Sequence, residues 1–228
     1  MSVYSDIQIK QAIDSGHIVA HPFVEDNVNG SSLDVTLGHW YYKTEQPTGR
    51  GVYNPFSPDD VERYFKGPYH GVEHHLWCQQ TGRKLFEGIP YDHQIIVIEP
   101  GERILAHTHE FVGIRAPGTS TMQARSTWGR NGVAVCLDAG WGDPGYINRW
   151  TMEIYNMNMH ESVILPVGER IAQLVFHETG EVGQEYASNS GKYQETSEQD
   201  LPQIIKAWQP QQMLPRAYKD KRIKPGKI

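Results

Sequence analysis

Between His17 and His177 the chain sustains no apolar pattern long enough for a core helix. Its apolar residues come in short runs bounded by Gly, Pro or Asn: Leu33 to Leu37, Ile95 to Ile98, Val133 to Leu137, Met152 to Tyr155 and Ile171 to Phe176. Such runs between turn formers are the pattern of strands. Over 228 residues without an internal repeat, they describe one mainly β domain, an all-β barrel or sandwich with short peripheral helices. One helix is expected after Ser5, a good N-cap, with Ile9, Ala12 and Ile13 on one face and Gly16 near its end. A second is expected from Pro202 to Trp208, where Ile204, Ile205 and Trp208 form an apolar stripe. Lys43 to Tyr91, rich in Gly, Pro, Tyr and His, reads as an excursion from the β core carrying short hairpins. Residues 1–195 then form a single domain and 196–228 a C-terminal lid or tail. From Arg216 onward the chain holds six Lys or Arg and one Asp, the composition of a solvated tail.

Charge narrows the ligands. With 27 acidic residues against 21 Lys and Arg, a formal charge of −6, the surface as a whole repels nucleic-acid polymers and anionic membranes. An anionic ligand must be met by a few locally placed cations. Two distant cysteines, Cys78 and Cys136, supply neither a disulfide framework nor a four-cysteine zinc site and fit a reducing compartment. No window has the apolar length of a transmembrane helix, and MSVYSDIQIK lacks the basic start and apolar core of a signal peptide, so a cytoplasmic location is expected.

The densest chemistry runs from Arg125 to Asn156. Arg125, Ser126, Thr127 and Arg130 place two guanidiniums and two hydroxyls within six residues, a combination suited to phosphate oxygens, although such a stretch also builds ordinary turns. Gly140, Gly142 and Gly145 permit close backbone approach, and Asp143-Pro144-Gly145 is a common turn signature. In the strand that follows, Met152 and Ile154 share one face while Thr151, Glu153 and Tyr155 share the other. A carboxylate there becomes a catalytic candidate if its face lines a pocket near Arg130.

This block resembles the signature of the dCTP deaminase family, trimeric nucleotide deaminases with the dUTPase-like fold. Arg125-Ser126-Thr127 with Arg130, then Ala139, Asp143-Pro144-Gly145-Tyr146 and Glu153 to Asn156 match it without gaps. Ser31 to Gly38, Pro100-Gly101, Pro166 to Leu174 and Gly191 to Gln194 resemble further family elements in the same order. The resemblance implies zinc-independent hydrolysis of dCTP to dUTP and ammonia by a homotrimer whose active sites form between subunits. Glu153 would act as general base, Ser126 and the Ala139 carbonyl would hold the water, and Arg130 would orient the carboxylate. Asp143 would bind the deoxyribose 3′-OH. Backbone at Thr151 and Met152 would frame the base, with Thr127 and Tyr146 also lining the substrate site. Arg125, Gln173, Tyr186 and Lys192 would reach the triphosphate, with Mg²⁺ carried on its phosphates. The H-x-E and P-C-x-x-C elements of zinc deaminases are absent.

Ala139-Gly140 resembles the dipeptide of bifunctional relatives that continue to dUMP and diphosphate, and Asp143 matches the catalytic Asp of dUTPases. The chain departs from the family pattern at Asp138, at Trp141-Gly142, at Asn148 and at Thr196 in the lid. Two other readings compete. Gly101 followed by His107-Thr108-His109 resembles the first metal motif of cupins, but Gly113 and Ile114 stand where a Glu is needed and Ile171 where a third His is needed. A trimer that binds nucleotides without chemistry is the non-enzymatic alternative, and the retained Ser126, Arg130 and Glu153 argue against it.

Overall fold

A computed structural model of the chain describes residues 2–44, 51–137, 139–183, 186, 192–193 and 200–219. Helix α1 (Asp6–Asp14) begins as expected: the Ser5 hydroxyl accepts from the Gln8 amide, and the Gln8 side chain accepts from the Ser5 amide. There follow β1 (Ile18–His21), β2 (Val28–Asn29), β3 (Ser32–Thr36), β4 (Trp40–Thr44), α2 (Pro58–Tyr64), β5 (Phe65–His70), β6 (Val72–Glu73) and α3 (His74–Thr81). The second half contains β7 (Gln94–Ile98), β8 (Arg103–Ile114), β9 (Thr119–Ala124), α4 (Ser126–Arg130), β10 (Val133–Val135), β11 (Trp141–Gly142), β12 (Ile147–Asn156), β13 (Val163–Pro166), β14 (Arg170–His177) and α5 (Leu201–Ala207).

The strands are all antiparallel in their pairing and fall into three sheets among the described residues. One runs β10-β12-β8-β4-β5, with β1 also on β8; a second runs β11-β9-β14-β3-β2; a small third runs β13-β7-β6. The mainly β class is therefore as expected, with hydrogen bonding inside three sheets rather than around one continuous ring. The two large sheets enclose the main core, in which Val35, Ile104, Met152, Ile154, Ile171 and Phe176 are fully shielded. Strict alternation along β12 puts Met152 and Ile154 into that core and Thr151, Glu153 and Tyr155 on the outer face.

Two features of the outer face differ from the sequence reading. The excursion after Lys43 does pair β5 with β4 as a hairpin, but it also contains helices α2 and α3. Helix α2 carries a start signal: the Ser57 hydroxyl accepts from the Asp60 amide, Pro58 opens the helix, and Asp59 and Asp60 sit in its first turn. Seven residues are too few to show a helical period, so the capping signal stood alone. The C-terminal segment is packed rather than solvated at Arg216. Helix α5 buries Ile204 against Phe111 and Ile147, Met213 joins Tyr42, Phe65 and Leu105, and Arg216 is buried. Residues 220–228 of the tail, together with Gly191, Gln194 and Thr196 of the lid, lie outside the described residues.

Candidate active site

The sequence-identified residues fall into three groups. The first sits on the β9-β14-β3 side. Arg125 follows β9 and occupies the N-cap position of α4, a single short turn anchored by Trp128 Nε1 donating to the Arg170 carbonyl at 2.9 Å. Arg125 Nε lies 3.3 Å from Asp34 Oδ2, and the same oxygen is 3.3 Å from Arg170 Nη1. Gln173 is registered between Asp34 and Gln123, so it shares this patch. Ser126, Thr127 and Arg130 are exposed on α4. Asp34 and Arg170 were not identified from sequence. The available signal was Asp34 itself, a carboxylate between Leu33 and Val35 in an apolar strand, where a buried charge requires a partner.

The second group surrounds Glu153, which lies directly across from Leu105 on β8, with Thr151 across from His107. On the other side, pairing with β10 reaches only Ile154; Cys136 (φ 53°) then donates its amide to the Glu153 carbonyl at 3.1 Å and turns the chain away. Among the described residues no strand pairs with β12 on that side at Thr151 and Met152. The Met152 side chain is fully buried, so only its backbone is available to a ligand. Glu153 Oε2 is buried and has no hydrogen-bond partner. Burial pushes its carboxyl above the usual range, opposed by the Arg103 charge. The cation acting on Glu153 within one chain is thus Arg103, whereas Arg130 stands exposed at the end of α4.

The third group is the turn after β11. The Tyr146 amide donates to the Asp143 carbonyl at 3.0 Å with Gly145 at φ 83°, the signature of a type II turn. Trp141, the departure from the family pattern, donates its Nε1 to Asp143 Oδ1 at 3.2 Å and so steadies that exposed carboxylate. Tyr146 meets Tyr186 edge-on, 5.0 Å between centroids, and the Tyr186 amide donates to the Pro144 carbonyl. The Tyr186 hydroxyl accepts from the Tyr193 amide at 3.2 Å, Asn148 donates to the Tyr193 carbonyl at 3.0 Å, and Arg216 donates to the Lys192 carbonyl at 3.0 Å. Tyr186 and the Lys192–Tyr193 segment are therefore gathered on the Asp143–Tyr146 turn.

Gly140 has a structural reason of its own. A Cβ there would collide with the Met122 carbonyl, and the Met122 amide donates to the Gly140 carbonyl at 2.7 Å. Of the two cupin-like histidines, His107 is a core group and His109 is only partly buried. His107 is fully buried, its Nε2 accepts from the Trp40 amide at 3.2 Å, and its Nδ1 lies 2.7 Å from the Thr108 carbonyl, so both ring nitrogens are engaged. Burial lowers its pKa to about 3, which keeps the ring neutral.

A model of the dCTP deaminase-like family matches residues 3–179. The chain belongs to that family. Within it, the dUMP-forming dCTP deaminase of Methanopyrus kandleri is 32% identical over 201 residues, which cover 85% of this chain and 91% of that protein. The dUMP-forming dCTP deaminase of Nanoarchaeum equitans is 28% identical over 194 residues, 83% of this chain and 90% of the relative. The solved structure of 2′-deoxycytidine 5′-triphosphate deaminase from Agrobacterium tumefaciens superposes with a TM-score of 0.53 at 16% identity. That superposition covers 78% of this chain and 48% of the other, so the dCTP deaminase-like chain described here spans about half of that protein and shares its fold. Among the described residues no helix is long and apolar enough to cross a membrane.

Proposed function

We propose that the protein hydrolyses dCTP to dUTP and ammonia and carries the product on to dUMP and diphosphate. The single observation that carries the first step is Glu153, a carboxylate with one buried oxygen uncommitted, on β12 just where its pairing with β10 ends. Glu153 accepts a proton from water as the water oxygen adds to C4 of cytosine, and the same proton goes to N3. A second proton, from the added hydroxyl, is carried by Glu153 to the departing amine, so C4 gains an oxygen and loses ammonia with Glu153 returned as carboxylate. Ser126 and the Ala139 carbonyl hold the water, and Arg130 orients the carboxylate across a subunit boundary.

A homotrimer with shared active sites fits the division of the residues into separate groups, since Ser126 and Arg130 are exposed while Glu153 Oε2 finds no hydrogen-bond partner among the described residues of one chain. It is further supported by an open apolar groove of about 650 Å³ between β9 and β10, flanked by exposed Leu137, Trp141 and Met157. An exposed apolar patch of this kind suits burial against another copy. Asp143, exposed and held by Trp141, suits both the sugar hydroxyl and positioning of a water for attack on the α-phosphate, and the relatives named dUMP-forming favour that second step. Arg125, Gln173, Tyr186 and Lys192 take the triphosphate. An accompanying Mg²⁺, which prefers oxygen ligands and retained water, is carried on the phosphate oxygens. The substrate places the enzyme with the cytoplasmic nucleotide pool.

The test is incubation with dCTP and Mg²⁺, assay of ammonia, and chromatographic separation of dUTP from dUMP. Glu153→Gln should abolish ammonia release while retaining nucleotide binding; substantial deamination by that variant would refute the assignment.

A further inference from the structure

Two of the buried side-chain oxygens that lack a hydrogen-bond partner, Glu153 Oε2 and Tyr53 Oη, belong to the same side of the β12-β8-β4 sheet. Glu153 is opposed by Leu105, and directly opposed residues of an antiparallel pair project from the same face. Leu105 belongs to the cluster on that face that includes Tyr42 and Phe65, and Tyr53 packs against this cluster, stacked on Tyr64 with centroids 4.5 Å apart. One pair further along the face, Tyr155 is opposed by Arg103. Arg103 is therefore the diagonal cross-strand neighbour of Glu153, within reach of a long side chain. Its charge acts on both Glu153 and Tyr53.

Arg103 has no competing acid. Its neighbour Glu102 is taken by Lys43, with Nζ 2.9 Å from Oε1, and no carboxylate lies within ion-pair distance of Arg103 among the described residues. We propose that Arg103 is a positioning residue for the deamination, a cation supplied by the same subunit that keeps Glu153 ionised and ready to take a proton. The inference rests on the dCTP deaminase reading above. Its physical basis is that a carboxylate half-withdrawn from water needs a nearby opposite charge to stay charged. The other titratable groups on this face are Tyr155 and Arg149 on β12, His107 on β8, Tyr42 on β4, and Tyr53 and Tyr64 from the excursion, with Cys136 beyond β10, its thiol held protonated by burial. Arg149 is held between Phe111 and Trp208 towards the start of β12, so Arg103 is the cation adjoining Glu153 along this face.

The test is the pH profile of dCTP deamination by full-length Arg103→Gln and Arg103→Lys with Mg²⁺ present. Arg103 is exposed at the start of β8, and thermal melting of both variants verifies that the fold is kept. Arg103→Gln should lower kcat roughly tenfold at the acid end, recover towards the parent rate at alkaline pH, and leave KM nearly unchanged. Arg103→Lys should restore most of the acid-end rate. A loss that is uniform in pH, or an acid limb that does not move, would overturn the inference. Glu153→Gln in the same assay separates the two ideas. If it still deaminates, the reading of the site fails; if it is dead while Arg103→Gln keeps the parent pH profile, only the role of Arg103 fails.

Discussion

Arg125 is held in place by Asp34: its Nε lies 3.3 Å from a carboxylate oxygen that Arg170 approaches from another strand at the same distance. Burial pushes the Asp34 carboxyl up, and the two guanidiniums oppose that. Asp34 thus orients a residue assigned to the triphosphate without itself being able to touch an anion favourably. Asp34→Asn should raise KM for dCTP several-fold with a smaller change in kcat, and cost about 1–2 kcal/mol of stability, because both arginines remain partly solvated. Steady-state kinetics together with urea unfolding would show whether binding and stability fall as stated.

Asp143→Asn separates the two proposed steps. The asparagine keeps the acceptor for Trp141 Nε1 and the turn, yet removes the charge. Ammonia release from dCTP should persist, with weaker binding, while dUMP formation is lost and dUTP accumulates. Chromatography of the nucleotide products reads this directly; continued dUMP formation at the parent rate would count against Asp143 in the second step.

Gly140→His tests whether that glycine serves chemistry or packing. The backbone contact with Met122 leaves no room for a Cβ, so the main effect should be structural: β9 and β11 must separate. A destabilisation of about 1–3 kcal/mol is expected from overpacking, with deamination and dUMP formation falling together rather than dUMP formation alone. Thermal melting compared with the ratio of the two products distinguishes the outcomes.

Trp208→Ala should release the C-terminal segment. The Arg149 guanidinium lies between two rings, 4.7 Å from Trp208 and 4.8 Å from Phe111, and Trp208 also covers His107 at 4.8 Å. Losing this stack and its burial costs about 3 kcal/mol locally. Limited proteolysis should cut near residues 200–219 faster in the variant, and KM for dCTP should rise, because Arg216 anchors Lys192 from that segment.

Where the sequence was informative, short-range physics was enough. Ser5 and Gln8 cap α1 as adjacent residues do anywhere, and the alternation through Met152, Glu153 and Ile154 follows from the two-residue period of a strand. The gapless run from Arg125 to Asn156 identified the family and the residues expected to carry the chemistry. Helix α2 was missed despite Ser57, Pro58, Asp59 and Asp60, because its seven residues are too short for an apolar period and only its contact with the sheet makes it stable. Arg216 was read from its basic neighbours as part of a solvated tail, whereas it is buried on the Lys192 carbonyl.

The sequence by itself determined the β architecture, the family and the order of the site residues, all of which depend on residues close together in the chain. Only the tertiary structure decided that Arg125 leans on Asp34, that Trp141 steadies Asp143, and that Arg103 is the charge nearest in effect to Glu153 within one chain. Charges interact according to distance in space and to the water excluded between them, and neither quantity is carried by spacing along the chain. Arg130 lies 23 positions before Glu153 and Arg103 lies 50 before it, yet the register of β8 on β12 places the more distant one on the same face.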